Sequence, residues 1–342
     1  MANLPDLAVF ALAPSEALGR AIAQDGGLAI APHELRRFED GEHKIRPLVT
    51  VRGRDVYILC SLYGDAAESV NDRLCRLLFF AGAVRDAGAA RVTVVAPYLC
   101  YARKDRRTNP RDPVTTRYVA QLIEAAGADR IVTIDVHNRA AYDNAFRIGC
   151  EHLEANPLFA RRCRALGDRG LAIVSPDPGG FHRAEALRDA LARTSGQAVE
   201  LAMLGKHRKA GVVRTEGFAG DVEGRVAVII DDLIVTGTTL VRAAEACRQR
   251  GAIAVHAMAT HGLFTRATGS VLATPAIDGI VVTDTVSPDR VDLGACLAKL
   301  SVVSIAPLLA RAIRALHHER SMTELTELTE LTELTDVRET PP

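Results

Sequence analysis

No charge of one sign dominates this chain. Its 342 residues include 42 lysines and arginines and 42 aspartates and glutamates. No overall field therefore selects nucleic acid or an anionic membrane, and any anion-binding site must be local. Long hydrophobic runs are missing as well, since no stretch approaches the ~20 apolar residues needed to cross a bilayer. The opening segment MANLPDLAVFALAP has no basic region, and its apolar run from Leu7 to Ala13 is too short for a signal peptide. Paired cysteine motifs are also absent. The seven cysteines (Cys60, Cys75, Cys100, Cys150, Cys163, Cys247, Cys296) are odd in number and scattered. That argues against a disulfide framework or a zinc site and for reduced thiols. These absences lead us to expect a soluble cytoplasmic protein without nucleic-acid or membrane partners, and they leave its chemistry open.

With 48% hydrophobic residues, the chain can fill one large core or two ordinary ones. Short β-branched runs alternate with longer amphipathic stretches. Strands are predicted at Val56–Ser61, Val92–Pro97, Ile131–Val136, Ala172–Ser175, Val226–Asp231, Ala254–Ala259, Ile280–Thr283 and Val302–Ile305. These runs are almost wholly apolar, as parallel strands covered on both faces must be. Helical patterns run over Asn71 to Ala87, Thr115 to Ala126, Arg183 to Ala192 and Thr239 to Arg250, and Gly88, Gly127 and Gly251 suit C-terminal caps. The alternation implies doubly wound α/β layers. A similar rhythm restarts near Ala155, which predicts two comparable domains, residues 1–152 and 153–306. A helix over 307–320 could pack back on the first domain. In the tail, 321–342, Thr-Glu-Leu repeats with a period of three, which drifts around a helix and makes no apolar stripe. A disordered extension is expected there.

The most informative segment is VAVIIDDLIVTGTTL, Val226 to Leu240. An apolar strand delivers Asp231 and Asp232 to its carboxyl end, where open α/β sheets bind ligands. Thr236, Gly237, Thr238 and Thr239 then lead straight into a helix. Glycine allows close backbone approach, hydroxyls add donors, and a helix N-terminus supplies N–H groups and a favourable dipole. The arrangement suits a phosphate monoester, with the carboxylates placed for sugar hydroxyls or magnesium. The bland alternative is an ordinary strand-to-helix turn.

This segment resembles the phosphoribosyl-diphosphate-binding loop of type I phosphoribosyltransferases and ribose-phosphate pyrophosphokinases. One departure is Val235, where the family usually carries an acid. A charge-assisted hydrogen bond is worth about 1.5–3 kcal/mol, against upwards of ~8 kcal/mol for such catalysis. The change could therefore weaken activity without abolishing it.

Other segments resemble the pyrophosphokinases in particular. FEDGE, Phe38 to Glu42, is by itself an ordinary acidic turn, but it is similar to the family segment that reaches a neighbouring subunit's adenine and ribose. Pro97 to Arg107, PYLCYARKDRR, resembles the ATP-contacting stretch, and arginine forks suit triphosphate oxygens. His137, after Ile134-Asp135-Val136, matches a magnesium-linked histidine, although imidazole is not magnesium's preferred ligand. Asp177 in SPDPGG matches a second metal-site segment. Lys206 and Arg208 match a lysine and an arginine on a mobile loop over the transferring phosphoryl group, with His207 replacing a common arginine.

The resemblance therefore implies two phosphoribosyltransferase-type domains, each a mostly parallel, doubly wound α/β sheet. It implies ribose-phosphate diphosphokinase activity with Mg2+. ATP would bind at Phe38, Asp40, Glu42, Arg103, Lys104, Asp105, Arg106 and His137. Ribose 5-phosphate would bind at Asp231, Asp232, Thr236, Gly237, Thr238 and Thr239. Metal would sit at His137 and Asp177, and Lys206 and Arg208 would be catalytic. A homo-oligomer, dimer building to hexamer, would share the ATP site. The alternatives are a phosphoribosyltransferase using the activated sugar, or a catalytically weak regulatory homologue.

Overall fold

Near-continuous apolar strands build two larger sheets in this chain, one in each half. The computed structural model describes residues 6–166, 170–195, 198–205, 207–209, 212–214 and 217–322. They divide into two compact units, one of residues up to Leu153 with the segment from Ile305, the other from Glu154 to Ser304.

The first unit runs β1 (Leu7–Ala11), α1 (Glu16–Gly26), β2 (His33–Arg37), β3 (His43–Pro47), β4 (Asp55–Leu59), α2 (Val70–Asp86), β5 (Arg91–Val95), α3 (Thr115–Ala125), β6 (Arg130–Ile134), α4 (Arg139–Ala145) and β7 (Gly149–Leu153). Its parallel sheet has the order β1-β4-β5-β6-β7. Every residue of β4 is buried, as a strand sandwiched between helical layers requires. Phe10, Ile58, Val94 and Ile131 pack with Leu77 and Phe80 of α2, Val119 and Ile123 of α3, and Tyr142 of α4. Alternate residues face the other way, toward α1. Gly19 of α1 lies so near that a Cβ there would stand 2.4 Å from the Ala11 Cβ. Ser69 and Asp72 form a capping box that starts α2. Gly88 and Gly127, at φ of +88° and +93°, end α2 and α3 in the left-handed conformation.

The second unit runs α5 (Asn156–Arg164), β8 (Leu171–Ser175), α6 (Phe181–Ser195), β9 (Glu200–Leu204), β10 (His207–Lys209), β11 (Val212–Arg214), β12 (Phe218–Ala219), β13 (Val226–Ile234), α7 (Thr238–Gln249), β14 (Ala254–Gly262), α8 (Thr268–Leu272), β15 (Gly279–Thr283) and β16 (Leu300–Val303). Its sheet has the order β12-β9-β8-β13-β14-β15-β16, parallel except for the short edge strand β12. Leu240, Ala243 and Cys247 of α7 pack on Val174, Ile229 and Ala257. Cys163 of α5 meets Met258 from the opposite face. The last helix, α9 (Ala306–His317), packs against α1 of the first unit.

Both sheets reverse their direction of growth. In the first, the chain leaves β1, bridges Ile30 to Val9 on one side, and returns to lay β4 on the other. In the second, β8 pairs with β9 on one side and β13 on the other. A crevice opens at the carboxyl ends of the strands flanking such a reversal, and open α/β sheets bind ligands there.

Several elements depart from the sequence expectation. The run from Leu7, weighed above only as a signal peptide, is the strand β1. The hairpin β2–β3 was not foreseen because HELRR shows no apolar alternation. Its strands are held by cross-strand pairing, and Leu35 and Ile45 pack on the core. The final strand is Leu300–Val303, two residues earlier than expected, and Ile305 precedes α9. Residues 323–342, which carry the whole Thr-Glu-Leu repeat, lie outside the described residues.

Candidate active site

The second unit's crevice begins where β8 stops at Ser175. Asp177 Oδ1 accepts the Gly179 and Gly180 amides at 2.9 and 3.1 Å, and Ser175 Oγ donates to the Asp177 carbonyl at 2.6 Å. One carboxylate oxygen thus closes the turn itself. On the adjacent strand, Val226 to Ile229 pair with Leu171 to Val174. Asp231 and Asp232 follow just beyond the last paired residue, and β13 there runs past the Pro178–Gly180 turn that Asp177 caps.

The first turn of α6 then supplies Arg183, whose Nη1 lies 3.9 Å from Asp231 Oδ1 and 3.8 Å from Asp232 Oδ1. The sequence reading missed Arg183. Its signal was available, because two adjacent acids at a strand end call for a nearby cation, and the helix after SPDPGG opens Phe-His-Arg. Asp231 keeps 23% of its side-chain exposure and Asp232 keeps 5%. Loss of solvation, followed by the neighbouring Asp232 charge, pushes the Asp231 carboxyl well above the usual carboxylate range, and Arg183 offsets this only in part. Two acids held together this way favour a bound cation or hydroxyl donors.

Past Val235, Thr236 and Thr238 are exposed, with their hydroxyls 2.7 Å apart. Gly237 has φ +81°, and a Cβ there would stand 2.6 Å from Leu272 Cδ2, so both backbone and packing require glycine. Helix α7 starts at Thr238, and no side chain caps its first turn. Amides, hydroxyls and helix dipole together form an anion cradle.

In the first unit, FEDGE is the tip of the β2–β3 hairpin. Phe38 N–H donates to the Glu42 carbonyl at 2.8 Å, and Asp40 Oδ1 accepts from the Glu42 amide at 3.1 Å. Phe38 is 41% exposed, and the Arg36 guanidinium lies 5.2 Å from its ring centroid. The basic stretch follows β5, and its Arg103, Arg106, Arg107 and Arg111 side chains are exposed. Lys104 is turned inward to Asp112, with Nζ 2.6 Å from Oδ2 and 2.9 Å from Thr108 Oγ1. Hydrogen bonds from Lys104 and then Thr108 hold the Asp112 carboxyl below the usual range. Asp105 accepts from Asn138 Nδ2 at 2.6 Å, which ties the basic stretch to the turn carrying His137. His137 is exposed after β6.

His137 lies in the first unit and Asp177 in the second. Among the described residues, no group of three or more His, Cys, Asp or Glu side chains could hold a metal. Lys206 lies outside the described residues. Arg208 sits in β10, opposite Val213 of β11.

A doubly wound sheet whose reversal carries an acidic pair and a Thr-Gly-Thr-Thr turn opening a helix defines an α/β protein of the phosphoribosyltransferase type. Residues 7–127 match the N-terminal domain of ribose phosphate pyrophosphokinase, and residues 173–327 match the phosphoribosyl synthetase-associated domain. The ribose-phosphate pyrophosphokinase of Fusobacterium nucleatum is 35% identical over 94% of this chain and 99% of its own length. That of Caldanaerobacter subterraneus is 38% identical over 90% and 93%. A crystal structure of phosphoribosylpyrophosphate synthetase from Mycobacterium smegmatis superposes with a TM-score of 0.80 at 31% identity, covering 92% of this chain and 99% of that one. The chain belongs to the ribose-phosphate pyrophosphokinase family.

Proposed function

We propose that this protein transfers the β,γ-pyrophosphoryl group of ATP to the C1 hydroxyl of ribose 5-phosphate, giving 5-phosphoribosyl 1-diphosphate and AMP. The observation that carries the proposal is the carboxyl end of β13, where Asp231 and Asp232 lie beside Arg183 and the chain turns through Thr236 and Gly237 into α7. The turn receives the 5-phosphate through its amides and hydroxyls. Asp231 and Asp232 orient the ribose hydroxyls, and Arg183 limits the repulsion between them.

The C1 oxygen forms a bond to the β-phosphorus, the bond from that phosphorus to the α–β bridging oxygen breaks so that AMP leaves with that oxygen, and the C1 hydroxyl proton passes to water. Such transfer depends on positioning and charge neutralisation. Arg103 and Arg106 are the triphosphate forks, and the hairpin tip with Phe38, Asp40 and Glu42 receives the nucleoside. Asp105, held by Asn138, keeps the basic stretch beside His137. Lys104 shapes the basic loop through Asp112. Lys206 and Arg208 are assigned to the transferring phosphoryl group.

Magnesium is ordinarily held by one or two carboxylates together with substrate phosphates. The raised affinity of the Asp231 carboxyl for positive charge, with Asp232 next to it, fits that donor set; Asp177 and, through a water, His137 are the further residues assigned to metal. When bound, the ion would withdraw charge from the phosphoryl oxygens. The exposed hairpin tip supports a homo-oligomer in which one subunit's FEDGE completes another's nucleotide site, and the seven free cysteines fit a cytoplasmic setting.

The test is to incubate the protein with ATP, ribose 5-phosphate and magnesium and to measure AMP and the activated sugar. Formation of both in equal amounts is expected. Nucleotide binding without AMP release would favour a regulatory homologue instead.

A further inference from the structure

A phosphate cradle made of backbone amides works only if its shape is set before the ligand arrives. The turn at Thr236–Gly237 has no side-chain cap of its own, and Val235 gives it no charged anchor. Its support comes from α8, which follows in sequence but packs against the start of α7. Thr268, the first residue of α8, is wholly buried. Its hydroxyl carries a single proton and donates it to the Val235 carbonyl. The same oxygen accepts from the Thr265 amide at 2.8 Å and lies 3.0 Å from Thr265 Oγ1. The Thr265 amide also reaches the Val235 carbonyl, at 3.3 Å. At the far end of α8, Leu272 fills the space beside Gly237 that a Cβ would need. Residues on both sides of Thr236 are therefore gripped by one five-residue helix.

We infer that Thr268 is a positioning residue for the phosphate loop, fixing through the Val235 carbonyl the direction of the amides that meet the sugar phosphate. Being fully buried, Thr268 touches no ligand and acts only through the loop. The inference rests on reading residues 236–239 as the ribose 5-phosphate cradle. It also explains how a loop with valine at position 235 keeps its form: the anchor is the main-chain carbonyl of that residue, which any side chain leaves in place.

The test compares wild type, Thr268→Val, Thr268→Ser and Leu272→Ala. It reads KM for each substrate, and hydrogen–deuterium exchange at amides 235–239 in ligand-free protein. Thr268→Val keeps the shape and removes the donor, so KM for ribose 5-phosphate should rise about five- to tenfold, the equivalent of one hydrogen bond of ~1–1.4 kcal/mol. KM for ATP should stay unchanged, and the loop amides should exchange faster while those of β13 do not. Thr268→Ser, which retains the hydroxyl, should restore both readings. Leu272→Ala should shift the same KM in the same direction, and it decides the matter if Thr268→Val does not fold. Equal changes in both KM values, a serine variant no better than valine, or unaltered loop exchange would overturn the inference. Absence of AMP release by wild type would instead sink the proposed reaction, and the exchange comparison would still decide the role of Thr268.

Discussion

At the carboxyl end of the first sheet, Arg73 and Arg76 are each 2% exposed and are held by carboxylates; at the same place in the second, Asp231 and Asp232 face Arg183 at 3.8–3.9 Å. In the first crevice Glu68 pairs with Arg73, Arg76 and Arg37, and Asp65 pairs with Arg73. Arg73 also donates to the Tyr63 carbonyl and Arg76 to the Ala13 carbonyl. The Ser61 amide donates to Ser15 Oγ at 2.8 Å across the reversal itself. Burial works to raise the Glu68 carboxyl, but hydrogen bonds and charge from Arg76, with Arg37 and Arg73, hold it below the ordinary value. In the second crevice the balance goes the other way, and Asp231 is raised. One crevice satisfies its charges internally and is part of the scaffold. The other keeps like charges together and gains when a ligand supplies the opposite sign. The same topology thus closes its charges on itself in one half and leaves an acidic pair open to a ligand in the other.

The sharpest way to break this contrast is Glu68→Ala. Removing one partner from a buried ion network leaves uncompensated charge, typically worth 3–5 kcal/mol. Because Asp65 and the two carbonyls remain, a loss of about 3 kcal/mol is expected in urea unfolding. A change below about 1 kcal/mol would show that the first crevice tolerates open charge as the second does.

Asp231→Asn should give the opposite result, with turnover down about a hundredfold, roughly 2.7 kcal/mol of transition-state stabilisation, and no loss of stability. The pH dependence follows from the sign of the shift. A carboxyl raised in the folded protein contributes stability that is fully present below its unfolded value, near pH 4, and is lost as pH rises through the folded value. The Asp231 contribution should therefore be lost upward from about pH 4, so over that range the stability of Asp231→Asn should rise relative to wild type. Matching slopes in the two proteins would remove Asp231 from the account.

Gly237→Ala comes next. The left-handed φ and the overlap with Leu272 together should cost about 1–3 kcal/mol. The loss should appear chiefly as a higher KM for ribose 5-phosphate, and a rise confined to the KM for ATP would move the phosphate cradle elsewhere.

Sequence showed the second crevice far better than the first, for physical reasons. VAVIIDD followed by TGTT announces a buried strand, an acidic pair and a helix start within one continuous segment, so no tertiary knowledge is needed. Gly88 and Gly127 mark helix ends by a local backbone requirement. By contrast, Arg73 and Arg76 look like the polar face of α2. They are buried because Asp65 and Glu68, in the loop just before the helix, fold back on them and the Ala13 carbonyl, from a distant segment, meets them too, which no helical period records. Arg183 was missed similarly, since its acids lie in another strand. Thr268 reads as an unremarkable helix start until its hydroxyl is seen on the Val235 carbonyl. Local patterns were legible; partnerships between distant segments were not.

The Lys104–Asp112 pair tests the contrast at its mild end. Its side chains are 33% and 24% exposed, it lies within one loop, and Asp112 is also served by the amides of Thr108 and Asn109. Solvent screening limits such a pair to about 0–1 kcal/mol. Lys104→Gln should therefore leave the unfolding midpoint almost unchanged, while loosening the loop that presents Arg103 and Arg106 and raising KM for ATP modestly. Raised salt should shrink the difference between variant and wild type, because exposed pairs are screened and buried ones are not. A salt-independent loss of nucleotide affinity would instead mean that Lys104 leaves Asp112 and binds the triphosphate directly.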